Sequence, residues 1–187
     1  GHTFEGWYKE AALTNKWDFI NDVVSSPLTL YAKWKVVQHE VTFNTGGGSA
    51  IPSQLVDDNT VVLGTSVPTK QDYIFAGWYK EAALINQWDL KNDVVTSATT
   101  LFAKWKVVQY EVTFNTNGGS GIASQMVDIN MKINEPTIPT KQGYSFGGWF
   151  KEATLTNRWD FKKDTITGKT TLFAKWLVNS SSDSSSN

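Results

Sequence analysis

Acidic side chains recur at fixed intervals in this sequence: Glu10, Asp18 and Asp22, then Glu81, Asp89 and Asp93, then Glu152, Asp160 and Asp164. Two carboxyl groups flanking a bond are the equipment of a glycoside hydrolase, where one gives a proton and the other attacks or activates water. Here the acids return in every copy of a repeat, beside turns, which fits capping and surface charge better than catalysis. No catalytic residue is assigned. Lys104 and Lys175, with the Asn- and Asp-rich turns, supply the residue types for an internal Lys–Asn or Lys–Asp crosslink, but nothing in the spacing supplies its geometry and none is expected.

Other chemistries are poorly provided for. The Gly46-Gly47-Gly48 and Asn117-Gly118-Gly119 turns lack the Gly-Lys-Ser/Thr of a phosphate loop. Asp57-Asp58-Asn59 and its counterpart Asp128-Ile129-Asn130 lack the spacing of a calcium loop, so no metal site is assigned. His2 falls in phase with Tyr73 and Tyr144, and His39 with Tyr110, so both histidines occupy aromatic positions rather than those of a base or ligand. The absence of cysteine removes disulfides, thiol nucleophiles and thiolate metal sites. No cofactor is implied. Exposed tryptophans could still stack on sugars or anchor a protein interface. Trp17, Trp88 and Trp159 sit in the least regular part of the pattern and are the candidate binding residues.

All nine tryptophans belong to one pattern. Trp7, Trp17 and Trp34 are spaced 10 and 17 apart, as are Trp78, Trp88 and Trp105, and Trp149, Trp159 and Trp176. The sets are offset by 78−7 = 71 and 149−78 = 71 residues. Residues 36–106 and 107–177 align without a gap, with 43 of 71 positions identical by direct count. Residues 1–35 match the second half of each. The chain therefore reads as half a copy, two full copies, and a serine-rich linker at 178–187. It starts in mid-pattern, so the expectation is that the half copy exposes its aromatic face unless preceding chain supplies the missing half.

A full copy opens on Val37, His39, Val41 and Phe43, alternating with polar residues, the period of a half-buried strand. An Asn- and Gly-rich hairpin turn follows, then a returning strand over 49–56, with Pro52 marking an edge or bulge. Pro68, with Gly143 in the next copy, hints at a short helix, and 81–85 at one helical turn. Tyr73–Tyr79 and Thr100–Trp105 read as further strands. Across the joint between copies the apolar face changes parity, from Leu101, Ala103 and Trp105 to Val108, Tyr110, Val112 and Phe114. A flat strand would turn one set into solvent, so a twist or bulge is expected at 106–109. Three large aromatics per small, disulfide-free unit are expected to be mostly core.

A net charge of −1 leaves no electrostatic footprint for nucleic acid. No apolar run reaches the ~18 residues needed to span a bilayer as a helix.

Val112-Thr113-Phe114-Asn115-Thr116-Asn117-Gly118-Gly119, the run Pro139-Thr140-Lys141-Gln142-Gly143-Tyr144 leading to Gly148-Trp149-Phe150, Trp159-Asp160-Phe161 and Thr170-Thr171-Leu172-Phe173-Ala174-Lys175-Trp176 closely resemble, in this order, the Listeria–Bacteroides repeat, a family related to the B repeat of internalins. The resemblance covers residues 1–177. Asp72 and Gly46 depart from the usual Gly and Asn. It implies a mostly β, α+β fold of tandem β-grasp-like modules, each a curved sheet with a short helix. It also implies a secreted, surface-located protein of the Gram-positive cell wall, acting as a stalk or, alternatively, as an adhesin for a host-cell or cell-wall ligand. The implied partners are neighbouring repeats and such a ligand, with no nucleic acid and no membrane insertion. The short joints between copies predict a semi-rigid rod. Small-angle scattering is expected to show an extended particle; a compact scattering profile would contradict that reading.

Overall fold

A computed structural model describes residues 1–179; residues 180–187 of the predicted serine-rich linker lie outside the described residues. The chain divides into two compact units, one of residues 1–71 with 75–106, the other of residues 72–74 with 107 onward.

In the first unit, β1 (His2–Tyr8) and β2 (Tyr31–Val36) form an antiparallel pair. The full copy that follows contributes β3 (Gln38–Asn44), β4 (Gln54–Asp57), β5 (Thr60–Val61), β6 (Tyr73–Tyr79), β7 (Val94–Val95) and β8 (Thr99–Val107). β3 and β4 are the expected hairpin, and β3 also runs parallel to β8, with Val41 opposite Thr99 and Phe43 opposite Leu101. The sheet order is β4-β3-β8-β6, with β5 and β7 as a small separate pair. The second unit repeats the plan with β9 (Gln109–Asn115), β10 (Gln125–Asp128), β11 (Tyr144–Phe150) and β12 (Thr170–Val178) in the order β10-β9-β12-β11.

The chain is β throughout the described residues; the predicted short helix, and with it the β-grasp arrangement, is not present. Two local causes account for this. Pro68 and Pro139 are fully buried, and Thr69 and Thr140 are tied to Ser49 and Ser120 by paired hydrogen bonds, Ser49 N–H to the Thr69 carbonyl at 2.7 Å and Thr69 N–H to Ser49 Oγ at 2.9 Å. At 81–86 the Glu81 carboxylate takes the N–H groups of Ile85 and Asn86, at 2.9 and 2.7 Å, donors that a helix would direct to backbone carbonyls. Leu84 closes that turn with φ of 55°.

The returning strand is shorter than the expected 49–56. Ser49 bonds to Thr69 rather than across the hairpin, and Pro52 is not the reason, because its counterpart Ala123 precedes an equally short β10. The register also slips between Phe146 and Gly148, and between Phe4 and Gly6, where Gly148 and Gly6 have positive φ. This bulge cancels the period-two reading of the third strand. Phe75 and Trp78, which strict alternation would place on opposite faces, pack edge-on with centroids 5.3 Å apart. The joint between copies is a one-residue break, at Val37 and Val108, within the stretch where a twist was expected.

The two full copies build matching cores. Val41, Trp78, Val95 and Leu101 are buried in one, Val112, Trp149, Ile166 and Leu172 in the other. Even residues 60–67 and 131–138, which share no identity, bury Val62 and Ile133 at the same position. Replacing Trp149, 3% exposed, with Ala is expected to cost about 3–5 kcal/mol. The same change at Trp7, 38% exposed, is expected to cost under about half as much, in proportion to the smaller burial. Urea unfolding of the two variants side by side measures this; equal losses would contradict the assigned core.

Candidate functional site

Each copy returns from its third strand through a long irregular segment that carries the recurring acids and the middle tryptophan. In the first full copy it begins at Lys80, whose N–H bonds to the Asn86 carbonyl at 2.9 Å, and docks back where the Trp88 N–H bonds to the Trp78 carbonyl at 2.8 Å. The Asp93 carboxylate holds the far end. One oxygen accepts the Asp89 N–H at 2.8 Å and the other accepts Lys80 Nζ at 3.0 Å. Lys80 Nζ also lies over the Trp88 ring, 5.4 Å from its centroid. Lys9, Trp17 and Asp22 form the same triad, as do Lys151, Trp159 and Asp164.

The recurring acids are thus occupied as acceptors. Asp18, Asp89 and Asp160 take the N–H groups of Ile20, Lys91 and Lys162, each at 2.8 Å. Glu10 and Glu152 bind the Thr14 and Thr156 hydroxyls as well as the Asn15 and Asn157 N–H groups. The Thr14 hydroxyl holds Glu10 below the usual carboxylate range, the Lys9 ammonium does so for Asp22, and the Asp89 N–H, followed by Lys80, does so for Asp93. A general acid needs the opposite shift, so that it still carries its proton near neutral pH. These carboxylates stay ionised and serve as turn clamps.

The candidate tryptophans divide. Trp88 and Trp159 are 8% exposed, drawn inward by the docking bond and roofed by the lysine, while Trp17 is half-buried. Trp88 lines a shallow cleft of about 420 Å³ with Phe75, Gln87 and Asp89, and Trp159 one of about 470 Å³ with Arg158, Asp160 and Phe161. Both indole Nε1–H groups are buried without a hydrogen-bond partner. The period-two pattern could not reveal these clefts, because they are made by a segment with no strand period.

The remaining sequence features find structural uses. Among the described residues no three His, Asp or Glu side chains gather as metal ligands. Asp58 instead bonds to His39 Nε2 at 2.9 Å. In the glycine turns a Cβ on Gly48 or Gly119 would collide with the ring of Trp105 or Trp176, whose Nε1–H bonds to the Thr45 or Thr116 carbonyl at 2.8 Å. Lys104 Nζ lies 4.6 Å from the Tyr79 ring centroid and 3.4 Å from the Leu84 carbonyl, and Lys175 Nζ lies over the Phe150 ring.

Residues 1–33, 39–104 and 110–175 match the family model described as Flg_new, the Listeria-Bacteroides repeat domain (List_Bact_rpt). The chain is 40% identical over 179 residues to a protein of Evansella cellulosilytica described as a Gly-rich membrane protein, a match covering 96% of this chain and 21% of that protein. A second protein of that organism, described as a membrane protein, is 36% identical, with 96% and 27% covered. Internalin H of Listeria monocytogenes is 33% identical over 129 residues, with 68% and 23% covered. The chain thus spans about a fifth to a quarter of the length of the curated relatives it matches.

The depressed carboxylates set a direction for acid. Groups ionised more easily in the folded state add stability above their ordinary value, 3.8 for Asp22 and Asp93, and lose it as pH falls through the depressed native values. Asp93→Asn is expected to lower the urea midpoint near about pH 7 and to flatten its decline towards about pH 3. Unfolding curves across that interval test it; a wild-type slope in the variant would contradict the clamp.

Proposed function

The chain belongs to the Listeria-Bacteroides repeat domain family, and from that premise we propose that it is a non-enzymatic spacer in a protein displayed on the surface of a Gram-positive bacterium. The observation that carries this reading is that the recurring side chains with chemical potential are consumed by the fold. The acids clamp turns, the lysines roof tryptophans, and the glycines admit Trp105 and Trp176. A module whose distinctive residues all build the module can be multiplied without multiplying a reaction. The kinship to an internalin and to proteins described as membrane proteins supports placement at the cell surface. In this reading the cell wall is the setting and neighbouring repeats are the main partners.

An adhesive role is the second reading, favoured by half-buried Trp17 and by the paired clefts beside Trp88 and Trp159. Its ligand would be a carbohydrate or protein of the host cell or the wall. The two readings separate in one experiment. A surface-anchored epitope carried on this chain is expected to become more accessible to antibody as repeats are added, while the purified chain shows no saturable binding to host cells or wall fragments. Saturable binding that is lost in Trp17→Ala, with folding intact, would overturn the spacer reading in favour of adhesion.

A further inference from the structure

Of the thirteen asparagines in the sequence, Asn117 alone is followed by glycine. At such a step the next backbone nitrogen can attack the side-chain amide with no side chain of its own in the way. Asn117 and Gly118 are exposed at the turn between β9 and β10, with φ of 48° and 83°, so water reaches the reacting atoms. The Gly119 N–H closes the turn on the Thr116 carbonyl at 3.0 Å.

The first full copy makes the same turn without an amide. Gly46 and Gly47 stand at these positions, with φ of 57° and 85°, and the Gly48 N–H meets the Thr45 carbonyl at 3.1 Å. The turn is thus independent of the asparagine side chain. What Asn117 adds is a tether: its Nδ2–H donates to the Ala174 carbonyl of β12 at 2.7 Å, across 57 positions of chain. A second contact works the other way. Lys141 Nζ donates to the Asn117 carbonyl at 2.7 Å, and a cation there eases loss of the proton from the Gly118 nitrogen, which belongs to the same peptide group.

We propose that Asn117-Gly118 is a self-modification site, and that the tether to Ala174 keeps it unreacted while residues 107–177 stay folded. The deprotonated Gly118 nitrogen bonds to Cγ of Asn117, the Cγ–Nδ2 bond breaks, and Nδ2 takes up a proton and leaves as ammonia. Water then opens the cyclic imide, at the side-chain carbonyl to give aspartate or at the backbone carbonyl to give isoaspartate. One water is consumed and one ammonia released, with no change of oxidation state. Departure of Nδ2 requires that its bond to Ala174 be given up, so the reaction draws on molecules in which the turn has opened. The carboxylate that results has no N–H to offer and stands against the Ala174 carbonyl. Isoaspartate also lengthens the turn whose Thr116 carbonyl seats Trp176. One full copy then ages at this turn, while the copy with Gly46 cannot.

The full chain, folded or unfolded in guanidinium chloride, is incubated in mildly alkaline buffer, and mass spectrometry of peptides spanning residue 117 follows the exchange of NH2 for OH. Modification at Asn117 is expected in the unfolded chain, and about tenfold or more slower in the folded one. Trp176→Phe, which keeps a ring but loses the bond to Thr116, should raise the folded rate severalfold and leave the unfolded rate unchanged. Should that variant not fold, the ratio of the two wild-type rates decides alone. The modified chain should unfold at a lower urea concentration than the fresh one, whereas Asn117→Gly should fold and show no exchange at this turn. A folded rate equal to or above the unfolded rate overturns the proposal and gives control to Lys141. So does an unfolded chain that stays unmodified, a folded Trp176→Phe chain that reacts at the wild-type rate, or a modified chain with an unchanged urea midpoint.

Discussion

The parallel contact between the first and last strands of a copy is the joint on which each copy depends. Val41 sits opposite Thr99 and Val112 opposite Thr170, residues 58 positions apart in the chain. Closing so long a loop costs chain entropy that only burial can offset. The burial is concentrated at the joint: Val41, Leu101, Val112 and Leu172 are fully enclosed, and Phe43 and Phe114 bring Trp78 and Trp149 into contact with the strand. Thr42 and Thr113 add hydroxyl bonds across it, to Thr100 and Thr171, at 2.8 Å in both copies. Residues 1–36 hold the corresponding antiparallel pair, with the same edge-on aromatic contact between Phe4 and Trp34.

Much of this was legible in the sequence because two regularities reinforced each other. Alternation located β3 and β6, and the offset of 71 carried each assignment to the next copy. Alternation failed at Gly6 and Gly148, where a bulge restores to one face residues that a simple count separates; a positive φ leaves no mark in a pattern of apolar and polar letters beyond the glycine itself. Pro68 and Gly143 suggested a helix because Pro and Gly punctuate helices and loops alike. What decided between them was Thr69 pairing with Ser49, 20 positions away. The burial of the candidate tryptophans was illegible for a similar reason. Trp88 lies in an irregular stretch, but the stretch bends back, and irregular backbone need not face solvent when its polar groups are satisfied by side chains.

Those side chains are the acids. Glu81, Asp89 and Asp93 take N–H groups in a segment that has no strand or helix of its own. Three carboxylate side chains hold the segment in place as hydrogen-bond acceptors. That explains why the acids recur at fixed spacing, and the same bonds lower Asp89 and Asp93 away from the range of a general acid. Composition records only that acids are present; their spacing relative to Asn86, Asn92 and the tryptophans carries the architectural information.

The parallel run of β3 beside β8 has a mechanical consequence. Tension applied between the two ends of a copy enters at the start of its first strand and leaves at the end of its last. For antiparallel neighbours joined at one end, such a pull opens hydrogen bonds one after another. For the parallel pair Val41–Asn44 and Thr99–Phe102 it drags the strands lengthwise past each other, loading every inter-strand bond at the same time, with the buried Val41 and Leu101 side chains resisting the slide. Resistance to force is then a rate set by the barrier to that sliding rather than by equilibrium stability. A copy of modest thermodynamic stability can in this way remain closed under a load that would peel a hairpin apart.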